Sequence, residues 1–147
     1  MIDEASVRAV LNTIVDPCSV VAGVAAGIEE MGLVRHLEVL EGPKGATIRV
    51  TIGVTEPGCL MGVPFANEAQ KRLLALPSVA CVEVTLDHAL DWKPEDMSAE
   101  YQARLAAYRS ARRVALGIRI TRREEIAHRR ERAQTEHERV PNSPSPT

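Results

Sequence analysis

Between residues 48 and 54 the chain alternates with a period of two. Ile48, Val50, Ile52 and Val54 fall on one side, Arg49, Thr51 and Gly53 on the other. Successive side chains of an extended chain point to opposite faces. This stretch therefore reads as a strand with one face to bury, and the rest of the fold has to cover that face. Leu33 to Leu40 reads as a second strand, joined to the first by the turn Glu41-Gly42-Pro43-Lys44-Gly45. Val82, Val84 and Leu86, alternating with Glu83, Thr85 and Asp87, make a third.

Two helical patterns supply the cover. Val7, Val10, Leu11 and Ile14 recur at i, i+3, i+4 and i+7, which predicts a helix over 4–15. Asp16-Pro17 is expected to end it, because proline disfavours the helical region for the residue before it. Phe65, Ala66, Ala69, Leu73 and Leu76 form the stripe of a helix over 62–75, with Pro64 tolerated in its first turn and Pro77-Ser78 as the stop. Residues 18–32 are small and apolar with three glycines, and read as a loop with one helical turn near 25–30. The order is α-β-β-α-β. The fold class is α/β (α+β), a two-layer domain with helices on one face of a small mixed sheet. The link through the second helix is long enough for the second and third strands to run parallel. Aromatic residues are only 3% of the 147, so the core has to be built from Val, Leu, Ile and Ala.

Charge divides the chain. Residues 1–98 hold 7 Lys and Arg against 14 Asp and Glu; residues 99–147 hold 11 against 6. An acidic domain over 1–98 followed by a basic, mainly helical extension over 99–139 and a disordered tail over 140–147 is the expected organisation. Within the extension, Tyr101, Leu105 and Tyr108 mark a short amphipathic helix. Val114, Leu116, Ile118 and Ile120 suggest an edge strand, and Thr121 with Glu124 a capping box opening a charged helix. No apolar run is long enough to span a bilayer, and the acidic start has no signal-peptide layout. A cytoplasmic protein with reduced thiols is expected, with no membrane partner. The arm lacks interleaved aromatics, so nucleic-acid binding has little support.

Chemistry has few candidates. Cys59 lies in the turn Thr55-Glu56-Pro57-Gly58-Cys59, just ahead of the second helix, where unpaired N–H groups favour an anion. A thiolate there is activated, and is a soft ligand for iron or a cluster. Packing as a small hydrophobe is the alternative. Cys18, after Asp16-Pro17, reads as a buried filler or a second thiolate. Asp16 reads as a cap or orienting group for that loop. Cys81, on the side of its strand opposite Val82 and Val84, reads as structural. His36, His88, His128 and His137 read as polar-face or solvated residues. No Cys-x-x-Cys, phosphate loop, nucleophile elbow or dinucleotide fingerprint occurs.

The stretches "VLNTIVDP" (10–17), "MGLV" (31–34), "TEPGC" (55–59) and "VEVTLDHALDWKPEDMS" (82–98), in that order, resemble the SufT/PaaD-like family of iron–sulfur cluster assembly proteins. The resemblance covers about residues 7–98. It implies a compact α/β fold and a non-enzymatic role in maturing or delivering iron–sulfur clusters, or iron, to a client metalloenzyme alongside other assembly proteins. It places the family's turn cysteine on Cys59, its threonine on Thr55 and its Asp-Pro on Asp16-Pro17. Two positions depart: Cys18 stands where the family commonly has Glu, and Leu60 where it commonly has Pro. Cys18 then adds a thiol near Cys59, and the departures suggest a branch serving one client, such as a metal-dependent oxygenase.

Three functional readings follow. The first is a carrier using Cys59, with Cys18, Asp16 and Thr55 around it. The second is an adaptor that links a client to assembly proteins, its cysteines structural. The third is a thiol enzyme, weakest because no general base is placed. A four-thiolate site cannot come from three cysteines in one chain, so a stable cluster would need other ligands or a homodimer. Cys18 and Cys59 are expected at one end of the sheet, with Cys81 apart.

Overall fold

A computed structural model describes residues 1–117 and 122–138. The chain divides into two compact units, residues 1–110 and 111–147.

The first unit is a mixed three-stranded sheet with helices on one face. Strands β1 (Val34–Leu40), β2 (Ala46–Ile52) and β3 (Val79–Leu86) lie in that order, β1 antiparallel and β3 parallel to β2. The α/β class and the parallel pair are as expected. In β2, Ala46, Ile48, Val50 and Ile52 are all buried, and the isoleucine and valine side chains each contribute about 1.5–3 kcal/mol. Its other face carries Arg49, which pairs with Glu38 of β1 and Glu83 of β3 across the strands. The covering helices are α1 (Glu4–Leu11), burying Val7 and Leu11, and α3 (Gly62–Leu74), burying Phe65, Ala69 and Leu73.

The first predicted helix is shorter than its pattern. α1 ends at Leu11, capped at Asn12, and the N–H groups of Thr13 and Ile14 bond carbonyls only three residues back. Residues 14–16 then pair with 26–28: Asp16 N–H donates to Ala26 O, and Ile28 N–H to Ile14 O, both at 2.9 Å. Asp16-Pro17 therefore starts a helix rather than stopping one. The helix is α2 (Pro17–Ala22), in the stretch expected to be loop. Asp16 is its N-cap, accepting from Cys18 N–H at 3.2 Å, and proline fits the first helical position. Gly23 closes it in the left-handed conformation, φ 101°, with the Tyr108 ring against its Cα.

The basic segment also departs from its pattern. α4 runs Ala99–Ala115, so Val114 lies in a helix and not in an edge strand. Ile118, Ile120 and Thr121, like the tail over 140–147, lie outside the described residues. In the first unit α4 buries Tyr101 and Leu105. In the second unit, α5 (Arg123–Glu138) is charged all round. Among the described residues no helix is long and apolar enough to cross a membrane.

Candidate functional site

The parallel pair fixes where a site can form. β2 and β3 end side by side, Ile52 opposite Leu86. The chain leaves both at the same end, and ligands of such sheets gather outside the strand carboxyl ends. After β2 comes the Thr55–Cys59 turn. Cys59 N–H donates to Glu56 O at 3.2 Å, with Pro57 and Gly58 between them. Gly58 has φ 79°. This is the arrangement of a type II turn, with proline at its second position and glycine where φ must be positive. The turn holds Cys59, half-buried, three residues ahead of α3.

Cys18 arrives from α2. The Thr55 hydroxyl points towards Cys18 Sγ at 3.9 Å, a long contact even for a sulfur acceptor, and the two loops meet there. Partial desolvation pushes the Cys18 thiol above its usual range, and the negative charges of Asp16, Cys59 and Glu56 push the same way, while the Thr55 hydroxyl pulls it down. The loops of Cys18 and Cys59 thus come close at Thr55. Cys18 is not a buried filler: it is exposed.

Asp16 is 2% exposed. Burial raises its carboxyl above the usual range, against the backbone N–H groups of Cys18 and Ser19 that stabilise the anion. Its Oδ2 has no hydrogen-bond partner among the described residues. Cys81 pairs with Thr47 near the beginnings of β3 and β2, the end of the sheet remote from Thr55, about 17 Å along the strand from Ile52 at the other end. It is exposed on the outer face and packs into no core.

Beside Cys18 and Thr55 opens a cleft of about 220 Å³. Its apolar walls are Met31, Trp92, Met97, Tyr101 and Leu105, with Glu56 and Arg109 also lining it. Trp92 Nε1 donates to Met31 O at 2.7 Å and Tyr101 hydroxyl to Val24 O at 2.8 Å. Sequence reasoning did not assign these walls to the site, although "WKPEDMS" and the Tyr101–Leu105 stripe carried their signal. Ser19 was also missed, and serine in a small-residue run leaves no pattern to read. His36 and His88 are exposed and line no part of the cleft, and His128 faces Glu131 at 3.6 Å on α5.

Two thiols suit soft iron, but they are two donors. Among the described residues no group of three or more His, Cys, Asp and Glu side chains comes together as a metal site.

No family profile matches the chain, and no curated protein matches it either. Solved structures do. A domain of unknown function, DUF59, from Bacillus anthracis is similar at 27% identity and TM-score 0.53, over 79% of this chain and 92% of that one. A conserved hypothetical protein from Thermotoga maritima is similar at 21% and TM-score 0.54, over 70% and 93%, a likeness of fold alone. A Mycobacterium tuberculosis protein, described as associated with Fe–S complex assembly and repair, matches at 19% and TM-score 0.41 over 70% and 82%. That overlap is too loose to bear on this chain.

Proposed function

We propose that this chain is an accessory protein, not an enzyme, that carries an iron–sulfur cluster or iron as cargo to a client metalloenzyme in the cytoplasm, through Cys59 and Cys18. One observation supports the reading most: the Thr55 hydroxyl lies 3.9 Å from the Cys18 thiol, so the loops of two cysteines 41 positions apart meet at one end of the sheet. The resemblance of its motifs to the SufT/PaaD-like family supports the same role, and likeness to the DUF59 domain is in keeping with it.

Each residue has a distinct task. Cys59 and Cys18 bind the cargo as thiolates, each losing its proton as its bond to iron forms. Thr55 orients Cys18 and stabilises its charge. Asp16 caps α2 and so fixes the backbone of Cys18. With two sulfur donors and an open outer side, such a site holds cargo loosely enough to release it, whereas four ligands from one chain would retain it. A second reading, an adaptor whose cysteines bind nothing, draws on the lack of a third donor among the described residues.

The test is protein handled without oxygen and supplied with iron and sulfide. A carrier shows sulfur-to-iron charge-transfer bands and bound iron. Cys59→Ser loses both while its circular dichroism is unchanged. A colourless, iron-free protein that still captures a client from extract overturns the carrier reading in favour of the adaptor.

A further inference from the structure

The donor count does not close within one chain. The loops of Cys18 and Cys59 meet at Thr55, Cys81 is at the other end of the sheet, and no group of three such donors exists among the described residues. A cluster resting on the two thiols would be bare on its other side, because Cys18 is exposed and Cys59 only half-buried.

The surface around the thiols is unlike the rest of the acidic body. Val20 and Val21, just after Cys18, are 55% and 89% exposed; Leu60 and Val63, just after Cys59, are 89% and 60% exposed. A scattered exposed aliphatic needs no explanation, but here four follow the two cysteines within four positions of each, on loops that meet at Thr55. The same stretches carry no charge: neither residues 17–28 nor residues 57–67 contain Asp, Glu, Lys or Arg. Two copies of a domain bearing 14 acidic against 7 basic residues over 1–98 repel one another, and approach most easily along these uncharged stretches, where the charges of the adjoining cleft, Glu56 and Arg109, are of opposite sign.

We infer that a second copy of this chain completes the site, with Cys18 and Cys59 of each copy holding one 2Fe–2S cluster on a two-fold axis. This rests on the carrier reading above. A two-fold interface places the same patch on both sides, so two thiols become four, the number such a cluster takes. Val20, Val21, Leu60 and Val63 of each copy then close around the cluster and exclude water. Transfer from a donor complex is ligand exchange with no change in iron oxidation state. Four iron–sulfur bonds to the donor's thiolates break, four to cysteine form, and each departing thiolate takes up the proton a cysteine gives off.

The full-length protein without oxygen, titrated with a glutathione-ligated 2Fe–2S cluster, gives the test. Iron and sulfide are measured per chain, and mass by light scattering. Expected is one iron per chain, with the mass rising from 16.0 kDa to about twice that. Val21→Asp with Leu60→Asp keeps both thiols and, being on the surface, the fold; it should stay a monomer and take up no cluster. Cys81→Ser should behave as the parent. One full cluster per monomer, or full loading of the double variant as a monomer, overturns the shared site and leaves the carrier reading standing. A cluster formed only when a client protein is added does the same, with the client as the second ligand donor. No iron under any condition overturns both.

Discussion

Ser19 sits in a run of small residues, yet its hydroxyl ties two backbone segments together. It donates to Asp16 O at 2.6 Å and accepts from Ala26 N–H at 2.8 Å, and it is 1% exposed. Removing it strands a buried N–H, so Ser19→Ala should cost about 1–3 kcal/mol. Asp16→Ala removes the α2 cap and should cost about 0.5–2 kcal/mol. Cys81→Ser, on an open face, should stay within about 0.5 kcal/mol of the parent. Urea unfolding of the three variants checks the order, and a Ser19→Ala as stable as Cys81→Ser would show that the α2 junction is not held this way. At this scale the sequence was legible wherever a residue's type demands one backbone geometry. Pro57-Gly58 announces its turn, and the turn presents Cys59. Asp16-Pro17 was legible as a boundary but not for its direction, because the same dipeptide follows one helix and opens another. Ser19 was silent, since its role depends on Ala26 folding back beside it.

Among the elements, β1 carries an irregularity that places a charge. Val34 pairs with Ile52 and His36 with Thr51, so Arg35 is the extra residue of a bulge. Its guanidinium reaches Asp91 and Asp96 at 3.0 Å and Asp87 at 3.5 Å, pinning the segment that brings Trp92 to the cleft. Arg35→Ala should loosen that segment and shift the emission of Trp92, the chain's one tryptophan, to longer wavelength while the far-ultraviolet spectrum holds. An unshifted spectrum would mean that the segment is held by other contacts. α4 is fastened differently, by Arg104 on Glu30 at 2.9 Å and by Ser98 N–H on Glu30 O at 2.8 Å. The hydrogen bond from Arg104 holds the Glu30 carboxyl below its usual 4.5. A depressed carboxyl stabilises the fold above its unfolded value and ceases to do so as pH falls through its folded one. Arg104→Gln should therefore melt slightly below the parent at neutral pH, with the gap closing below about pH 4.5. A gap independent of pH would remove Glu30 as its cause. Periodicity revealed the two helices packed on the sheet but misread Val114 and Leu116, whose spacing of two is accidental at exposed positions. α2 escaped because six small residues are too short to show a period.

For the whole molecule, composition and packing mark different places. The charge changes sign beyond Ser98, while the first compact unit continues to Ser110 with Tyr101 and Leu105 in its core. Truncation after Arg122 should leave the urea midpoint of that unit unchanged and weaken binding to an acidic partner in a salt-sensitive way. Truncation after Ser98 removes a fully buried tyrosine among other contacts and should cost at least about 3–5 kcal/mol. Equal midpoints for the two truncations would exclude α4 from the core. The same long reach of the chain sets the order of events during folding. Thr55 meets Cys18 across 37 positions, Trp92 meets Met31 across 61, and Tyr101 meets Val24 across 77. Contacts so distant in sequence are closed late, because each needs a large loop drawn shut before it returns any energy. The paired thiols and the cleft beside them are therefore among the last features a newly made chain acquires. A half-finished chain presents two unrelated cysteines, and their loops meet only once the whole first unit has been synthesised.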